Sequence, residues 1–398
     1  MDLKLPASPL APSATRQSIG EEGCLRILFV AGATAGGGAE HQLDLLCKGL
    51  HEIGHSPMVV TFRGQPIAPP YPLLSARHAG RGRIAAFARI SDAARIARRT
   101  ALSWDPDAAI FWLAVPTLIG AFAWPRHRGI RVAAIRNAAP EAMPSIPPRL
   151  HAWCVRRALS RMQLIVANSR AGLRQYEAAG LLGPQATEVV QNCREPGRFR
   201  PPSNAERELA RMAMLGGGDA PTVLYVGRNA PEKNIPLLVT TIAHLRRRMP
   251  GCRVLVAGLN RSALGAVDES LLREDPGVIP LGRMTDVRQA YWAADALVLT
   301  SNLEGSPNAV HEARACGLSI ISTDCGDVME SATEVDAIVA PQPDAIAEAL
   351  VQRLLNPVAR IERGAALTPA DCARAWVRAL NRARSSGRTA GALEPRRE

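Results

Sequence analysis

Aromatic side chains and lysine are both scarce in this 398-residue sequence. Six Phe and four Tyr leave few rings on which nucleic-acid bases could stack, and no nucleic-acid-binding motif is present. These absences count against a nucleic-acid-binding protein. Lysine occurs only at Lys4, Lys48 and Lys233, although Lys and Arg together number 48. Because the chain otherwise uses arginine, Lys233 is a candidate for a specific role.

Disulfide spacing, metal-ligand spacing and a secretory signal are also missing. The eight cysteines form no Cys-x-x-Cys pair and no His/Cys ligand pattern, which fits a protein of the reducing cytoplasm. Residues 1–22 lack a basic start followed by an apolar run, so they predict a disordered tail. The one membrane candidate, Ala108 to Trp124, is short for a span and contains Pro116 and Gly120. A buried strand followed by a helix explains this stretch better.

Positive charge is concentrated in the first half of the chain. Residues 1–200 carry 25 basic and 13 acidic side chains, whereas residues 201–398 carry 23 of each. A basic half predicts an anionic partner, such as a membrane surface, a lipid-linked phosphate or nucleic acid. A solvated surface in an arginine-rich protein would explain the same excess without a partner. For a membrane, the expected contacts are Arg81, Arg83, Arg156, Arg157 and Arg161.

Short apolar runs alternate with longer amphipathic ones along most of the chain. Leu25 to Ala31, Glu40 to Ile53 and Met58 to Phe62 predict strand, helix and strand, and the same alternation restarts at Thr222. This pattern predicts an α/β protein with two Rossmann-like, doubly wound domains that face a central cleft. The predicted parts are a disordered tail (1–22), an N-terminal Rossmann-like domain (23–195), a linker (196–220), a C-terminal Rossmann-like domain (221–366), a final helix (367–385) and a second disordered tail (386–398).

The segment from Leu303 to Glu312 directly follows a predicted strand and opens a helix. Ser306 is a suitable N-cap and Pro307 suits the first helical position, so the free amides of this helix would point at the crevice beyond the strand ends. Such a helix terminus binds anions. Glu304 lies in the loop before the helix and Glu312 lies within it, and each carboxylate can accept hydrogen bonds from two sugar hydroxyls.

A second polar cluster, residues 226–234, follows the first strand of the C-terminal domain. Gly227 allows the chain to turn, and Arg228 and Lys233 can converge on a diphosphate and neutralise the charge that grows as it leaves. A surface turn with two solvated charges would explain the cluster taken alone. Its position beside the helix terminus favours the diphosphate site.

These motifs together resemble the family-4 glycosyltransferases of the two-Rossmann (GT-B) type, over about residues 25–360. The resemblance rests on the two glutamates with seven residues between them, on the Gly-Arg and Pro-Glu-Lys-Asn pieces of residues 227–234, and on the Gly-Gly-Gly-Ala-Glu run of residues 36–40. It implies that Glu304 contacts the donor sugar and Glu312 the ribose, while Arg228 and Lys233 contact the diphosphate. The remaining donor-binding residues that it implies are Gly37, Gly38, Gly227, Gly305, Ser306, Pro307, Asn308, Ala309 and Val310.

The acceptor side departs from the family pattern. Family members often carry a histidine in the loop after the strand Val132 to Ile135, where this chain has Arg136 and Asn137, which become the acceptor-side candidates. The dipeptide Asn168-Ser169 also resembles the family, although a helix N-cap is an equally good explanation for it.

The resemblance predicts a retaining hexosyltransferase without a cofactor or metal. Its co-substrate would be a nucleoside-diphosphate sugar, and its acceptor a glycan, a lipid-linked molecule or a small molecule, in cell-surface polysaccharide or glycolipid synthesis. Asp105 and Asp107 imitate a metal-binding carboxylate pair, but they precede their strand and fit a capping turn better. The alternative enzyme is an NADP-dependent oxidoreductase that uses the glycines from Gly32 to Gly38 and Arg63, which is a poor dinucleotide fingerprint.

Overall fold

A computed structural model describes most of the chain, in the ranges 23–33, 37–63, 69–76, 82–125, 129–137, 147–260, 262–263, 275–364 and 367–391. The predicted tail of residues 1–22, the glycine at position 36, Arg81 and the last seven residues lie outside these ranges, and so does the side chain of Arg83.

The first sheet contains seven parallel strands in the spatial order β3-β2-β1-β4-β5-β6-β7. Its central strands are almost entirely buried, as expected for a parallel sheet that is covered on both faces. The strands are β1 (Arg26–Ala31), β2 (Ser56–Thr61), β3 (Leu73–Ser75), β4 (Ala108–Trp112), β5 (Ile130–Ile135), β6 (Leu164–Ala167) and β7 (Ala186–Val189).

Helices cover both faces of this sheet. The helices connecting its strands are α1 (Gly38–Glu52), α2 (Arg83–Trp104), α3 (Ala114–Phe122), α4 (Pro148–Leu159) and α5 (Arg170–Ala178). Apolar side chains of α2 to α5 pack in one core cluster, whereas those of α1 pack in the cluster on the opposite face. The stretch considered as a membrane candidate is β4 followed by α3, as predicted. In the described part of the chain, no helix is both long enough and apolar enough to span a membrane.

The second sheet contains six parallel strands in the order β10-β9-β8-β11-β12-β13. These strands are β8 (Thr222–Val226), β9 (Arg253–Ala257), β10 (Val278–Gly282), β11 (Ala296–Leu299), β12 (Ser319–Thr323) and β13 (Ala337–Val339). The helices around it are α6 (Asn204–Leu215), α7 (Ile235–Arg248), α8 (Arg288–Ala293), α9 (Asn308–Ala315) and α10 (Pro343–Leu355), with a 3₁₀ turn at Pro231–Lys233.

The last helix, α11 (Pro369–Gly391), returns to the first sheet. Its buried side chains, including Trp376 and Leu380, belong to the same core cluster as α1. The helix extends to residue 391, six residues beyond the end of the predicted final helix. The chain therefore crosses between the two sheets twice, once after β7 and once before α11.

Both sheets have a point at which the strand order reverses. In the first sheet this point lies between β1 and β4, and in the second between β8 and β11. Ligands of doubly wound sheets bind in the crevice beyond the carboxyl ends of the strands at such a point. The predicted fold class of two Rossmann-like domains is confirmed, and the predicted donor-site motifs follow β8 and β11, the two strands at the second crevice.

Candidate active site

The loops that follow β8 and β11 are joined by hydrogen bonds at the second crevice. The amide of Asn302 donates to the carbonyl of Glu232 at 2.9 Å, and the hydroxyl of Thr300 donates to the carbonyl of Lys233 at 3.1 Å. Asn234 adopts a left-handed conformation (φ 49°) and caps α7 by accepting from the Leu237 amide at 3.3 Å. These bonds fix Lys233 at the mouth of the crevice.

Lys233 and Glu304 form an ion pair at the centre of the site. The Lys233 ammonium contacts Glu304 Oε1, and the hydroxyl of Ser301 donates to the same oxygen at 2.8 Å. Both charged side chains are largely buried, with 15% and 13% of their surfaces exposed. Each charge therefore compensates the other where solvent is partly excluded, and a ligand with phosphate and hydroxyl groups could replace both partners.

Arg228 lies at the rim of the same crevice. Its guanidinium donates to Glu232 Oε1 at 2.7 Å, and 65% of its side chain is exposed. Gly227, just before it, passes so close to the Tyr225 hydroxyl that a Cβ at this position would lie 2.4 Å from that oxygen. Glycine is therefore required for packing at this turn, in addition to any contact with a ligand.

The start of α9 differs from the prediction in its cap. Pro307 occupies the N-cap position, which places Asn308 first in the helix and leaves Ser306 outside it. The Ser306 hydroxyl instead bonds His311 Nε2 at 2.7 Å, so the predicted Ser306 cap was wrong. The Ser306 hydroxyl is therefore engaged by a side chain of α9 and not by a backbone amide of its first turn.

Glu312 lies one turn after Asn308, as predicted, and is half-buried beside α8. The Tyr291 hydroxyl donates to Glu312 Oε2 at 2.8 Å. Burial raises the pKa of Glu312 to about 7, despite the opposing effects of that hydrogen bond and of the positive charges of Arg198 and Arg194. The carboxylate is therefore poised between its neutral and ionised forms near neutral pH.

The glycine-rich turn of the first domain meets the start of α9. Gly37 is the N-cap of α1, and a Cβ on Gly38 would lie 2.6 Å from the side-chain nitrogen Nδ2 of Asn308. Asn192 donates from Nδ2 to Asn308 Oδ1 at 2.8 Å. The N-termini of α1 and α9 thus come together across the cleft, where their partial positive charges favour an anion.

A second contact joins the domains at Gly305. Ser169 caps α5 by accepting from the Gly172 amide at 3.0 Å, and its hydroxyl donates to the Gly305 carbonyl at 2.6 Å. A Cβ on Gly305 would lie 2.8 Å from Asn168 Oδ1, an oxygen that is buried without a hydrogen-bond partner. The Asn168-Ser169 pair is therefore both a helix cap and a docking point for the loop that carries Glu304.

Only one of the two acceptor-side candidates faces this cleft. The backbone of Asn137 lies 3.4 Å from the position of a Cβ on Gly305, and its side chain accepts from the Tyr176 hydroxyl at 3.2 Å. The structure contradicts the placement of Arg136, whose guanidinium lies 4.5 Å from the Trp112 ring and 5.1 Å from the Trp376 ring. Burial lowers the pKa of Arg136 to about 10.

The aspartates before β4 have structural partners. Asp107 accepts from the Arg26 amide at 2.9 Å and pairs with Arg384 at 3.2 Å, while Asp105 ends α2 in a left-handed conformation. This arrangement is the capping turn that the sequence favours over a metal site.

Three residues that the sequence analysis did not single out contribute to the site, and so does Ser169, which it explained equally well as a helix cap. Tyr291 carries no local signal for its role, because a buried tyrosine inside a helix is ordinary. His311 resembles a surface residue of α9. Asn192 and Ser169 could have been found from their positions directly after β7 and β6, since loops at the carboxyl ends of parallel strands share one edge. These residues are Ser169, Asn192, Tyr291 and His311.

Each half of the chain matches a known protein family. Residues 36–198 match the family described as "Glycosyltransferase Family 4", and residues 220–356 match "Glycosyl transferases group 1". Together the two matches cover about three quarters of the chain. They favour the glycosyltransferase interpretation over the oxidoreductase and nucleic-acid-binding alternatives.

The curated relatives include several D-inositol 3-phosphate glycosyltransferases. The protein of that name from Saccharomonospora viridis is 28% identical over 260 residues, which is 60% of this chain and 59% of the relative. The one from Actinosynnema mirum is 27% identical over half of each chain. This chain thus spans about half the length of the curated relatives that it matches.

Solved structures share the fold over nearly the whole chain. Sucrose-phosphate synthase from Thermosynechococcus elongatus superposes with a TM-score of 0.71, covering 92% of this chain and 99% of that one, at 19% identity. Anabaena HepE, solved with UDP and glucose, superposes with a TM-score of 0.68 over 93% of this chain and all of that one, at 17% identity. At these identities the structures support the GT-B fold alone.

Proposed function

We propose that this chain, which belongs to the two-domain glycosyltransferases of the GT-B type, transfers a hexosyl group from a nucleoside-diphosphate sugar with retention of configuration. The observation that carries the proposal is the Lys233–Glu304 pair, held beside the start of α9 at the point where the second sheet reverses its strand order. A cation for phosphate and a carboxylate for hydroxyls are the two groups that such a donor needs.

The diphosphate would lie against Lys233, Arg228 and the amides at the start of α9. These groups are fixed before the donor arrives, so they can stabilise the negative charge that develops on the leaving diphosphate. They also replace the usual role of a metal ion, and we therefore propose that no metal or cofactor takes part. The glycine-rich turn at Gly37 and Gly38 would close on the donor from the first domain.

Glu304 would accept hydrogen bonds from sugar hydroxyls and Glu312 from the ribose. In a single-step transfer, retention requires the acceptor oxygen to reach the anomeric carbon from the face that the diphosphate leaves. The bond from that carbon to the diphosphate oxygen breaks, the bond to the acceptor oxygen forms, and the acceptor proton leaves with the diphosphate. Holding the sugar at Glu304 positions this carbon for attack.

The acceptor would bind to the first domain, on the Asn137 side of the cleft. We propose a glycan, a lipid-linked molecule or a small molecule, in cell-surface polysaccharide or glycolipid synthesis, with the basic domain at an anionic membrane surface. The charge split between the halves supports this arrangement. A cytoplasmic location, at the inner face of the cell membrane, would give the enzyme its donor and keep its eight free thiols reduced.

A thermal-shift screen tests the donor proposal. UDP, GDP and ADP and their hexose derivatives are added with a chelator, and a ligand at about a hundred times its dissociation constant should stabilise the fold by roughly 2.7 kcal/mol. The anomeric proton of the product, observed by NMR, should show the donor's configuration. No stabilisation by any of these ligands, or stabilisation only after a divalent cation is added, would contradict the proposal.

A further inference from the structure

The outward surface of α4 combines exposed apolar and basic side chains. Trp153 and Leu150 are exposed over 59% and 50% of their surfaces, although both are large and apolar. The arginines beside them are exposed as well. We call this surface the α4 face, and it consists of Arg149, Leu150, Trp153, Arg156 and Arg157.

The core of the first domain does not use this face. The opposite side of α4 packs Val155, Ala158 and Leu159 into the core, so the helix already has its buried stripe. Its outward face would be polar if it met only water. Trp153 is the one exposed tryptophan among the six of the chain, all of which lie in described ranges.

A second pair of apolar and basic side chains, Phe122 and Arg161, lies next to the end of α4. Phe122 is 54% exposed, and the guanidinium of Arg161 lies 4.6 Å from its ring centroid. Arg161 also donates to the Ala121 carbonyl at 2.8 Å, which fixes this pair next to the end of α4. Large exposed apolar side chains therefore accompany arginines both on the α4 face and next to the end of α4.

The arginines of the α4 face have no carboxylate partner among the described residues. No acidic residue occurs between Glu141 and Glu177 in the sequence. Several arginines elsewhere in the chain do form ion pairs with carboxylates. Examples are Arg207 with Asp295, Arg246 with Asp275 and Arg314 with Asp336.

We propose that the α4 face binds an anionic lipid bilayer. Tryptophan settles at the interface between headgroups and acyl chains, and arginines beside it attract anionic headgroups. Trp153 and Leu150 would enter this interface while the arginines contact lipid phosphates. The membrane contact expected for the basic domain is thereby narrowed to one helix and its end. Arg156, Arg157 and Arg161 are among the contacts that the sequence predicts, and Trp153 and Leu150 add an apolar anchor.

Other occupants fit the face less well. A second copy of the chain would bring two arginine clusters together, which is unfavourable without intervening carboxylates. Nucleic acid would match the charge, but it would leave Leu150 and Phe122 without apolar contacts. The inference rests on the proposed function in one respect, namely that membrane binding would bring a lipid-borne acceptor to the cleft.

Vesicle co-sedimentation of the full chain tests the proposal. Binding should require phosphatidylglycerol in phosphatidylcholine vesicles, and it should weaken as salt rises, because exposed charges are screened over about 8 Å at physiological ionic strength. The double variant Arg156→Gln/Arg157→Gln should bind about 25-fold more weakly, since each arginine near an anionic surface contributes about fivefold. Brominated lipids should quench the fluorescence of the parent chain but not that of Trp153→Ser.

Arg98→Gln/Arg99→Gln provides the matched control, since it removes two adjacent exposed arginines from α2 of the same domain. It should keep at least half of the parent affinity. Equal losses in both double variants, equal binding to neutral and anionic vesicles, or binding to nucleic acid without binding to vesicles would each overturn the proposal. Titration of the variants with UDP, GDP and ADP separates the two claims, because donor binding should survive loss of the α4 face.

Discussion

At the scale of single residues, the half-buried carboxyl of Glu312 makes stability depend on pH. Its pKa is raised from 4.5 to about 7, chiefly by burial, so the folded chain binds this proton more tightly than the unfolded chain. The stabilisation is complete below about pH 4.5 and is lost as pH rises through about 7. We expect the free energy of unfolding to fall between pH 5 and 7.5 in denaturant titrations.

The variant Glu312→Gln isolates the contribution of this carboxyl to the pH dependence of stability from that of all other titrating groups. The amide keeps the shape of the side chain and can still accept from the Tyr291 hydroxyl, but it cannot ionise. The slope of stability against pH should therefore be shallower in this variant between pH 5 and 7.5. An unchanged slope would show that Glu312 titrates at its ordinary value in the folded chain.

Arg136 should matter for stability rather than for acceptor binding. Its guanidinium contacts two indole rings and donates to the Val190 carbonyl at 3.2 Å. Arg136→Ala should lower the free energy of unfolding by about 2 to 4 kcal/mol, because packing and cation–π contacts are both lost.

Arg136→Met is the matched variant, since it restores most of the buried volume without the charge. It should be closer in stability to the parent than Arg136→Ala, and its KM for the acceptor should be unchanged. A large rise in acceptor KM in a stable Arg136→Met variant would return Arg136 to the acceptor site.

The residues of the proposed donor site show what sequence can and cannot predict at this scale. Lys233 and Glu304 follow strands that a doubly wound sheet brings together, so their proximity was predictable. The direction of the Arg136 side chain was not, because a residue at a strand end can turn toward either face. The cap of α9 was missed because the Ser306 hydroxyl bonds the side chain of His311, a contact that cap preferences do not predict.

At the scale of elements, Ser169 connects the start of α5 to the loop that carries Glu304. Two roles of its hydroxyl can be separated, since the cap needs an acceptor whereas the bond to the Gly305 carbonyl needs a donor. Ser169→Ala removes both and should cost about 0.5 to 2 kcal/mol of stability through the lost cap. Ser169→Asp keeps the cap but cannot donate to Gly305 when ionised.

We therefore expect Ser169→Asp to keep most of the stability but to raise KM for the donor sugar, because the Glu304 loop loses its docking contact. Ser169→Thr retains both functions and should resemble the parent. Ser169 is a positioning residue by this account. Parent-like donor KM in Ser169→Asp would show that this contact has no part in closing the cleft.

Strands and helices were largely predictable because most are long and clearly patterned. The buried strand β8 begins at Thr222, the residue at which the sequence predicts that the alternation restarts. The strands β3 and β13 were missed, since each has three residues that are only partly buried and occupies a sheet edge. An edge strand of this length has too few residues to show alternation.

At the scale of the whole molecule, the return of α11 to the first sheet could not be predicted. Its amphipathic pattern predicts a helix with one buried face, but a pattern does not specify which core receives that face. The two sheets, by contrast, followed from the repeated alternation of strands and helices. Because the chain crosses between the sheets twice, closure of the cleft would involve both crossings together.

Calorimetric titration of Glu304→Ala and Glu312→Ala with UDP, GDP and ADP, and with their sugars, tests the donor site most directly. Glu312→Ala should weaken both kinds of ligand by tenfold to a hundredfold, about 1.5 to 3 kcal/mol for a charge-assisted hydrogen bond to the shared ribose. Glu304→Ala should bind the free diphosphate as tightly as the parent or more tightly, because Lys233 loses its ion-pair partner, while affinity for the sugar donor falls. If Glu304→Ala loses free diphosphate affinity as severely as Glu312→Ala, or if Glu312→Ala binds it like the parent, the assignment of the two glutamates is wrong.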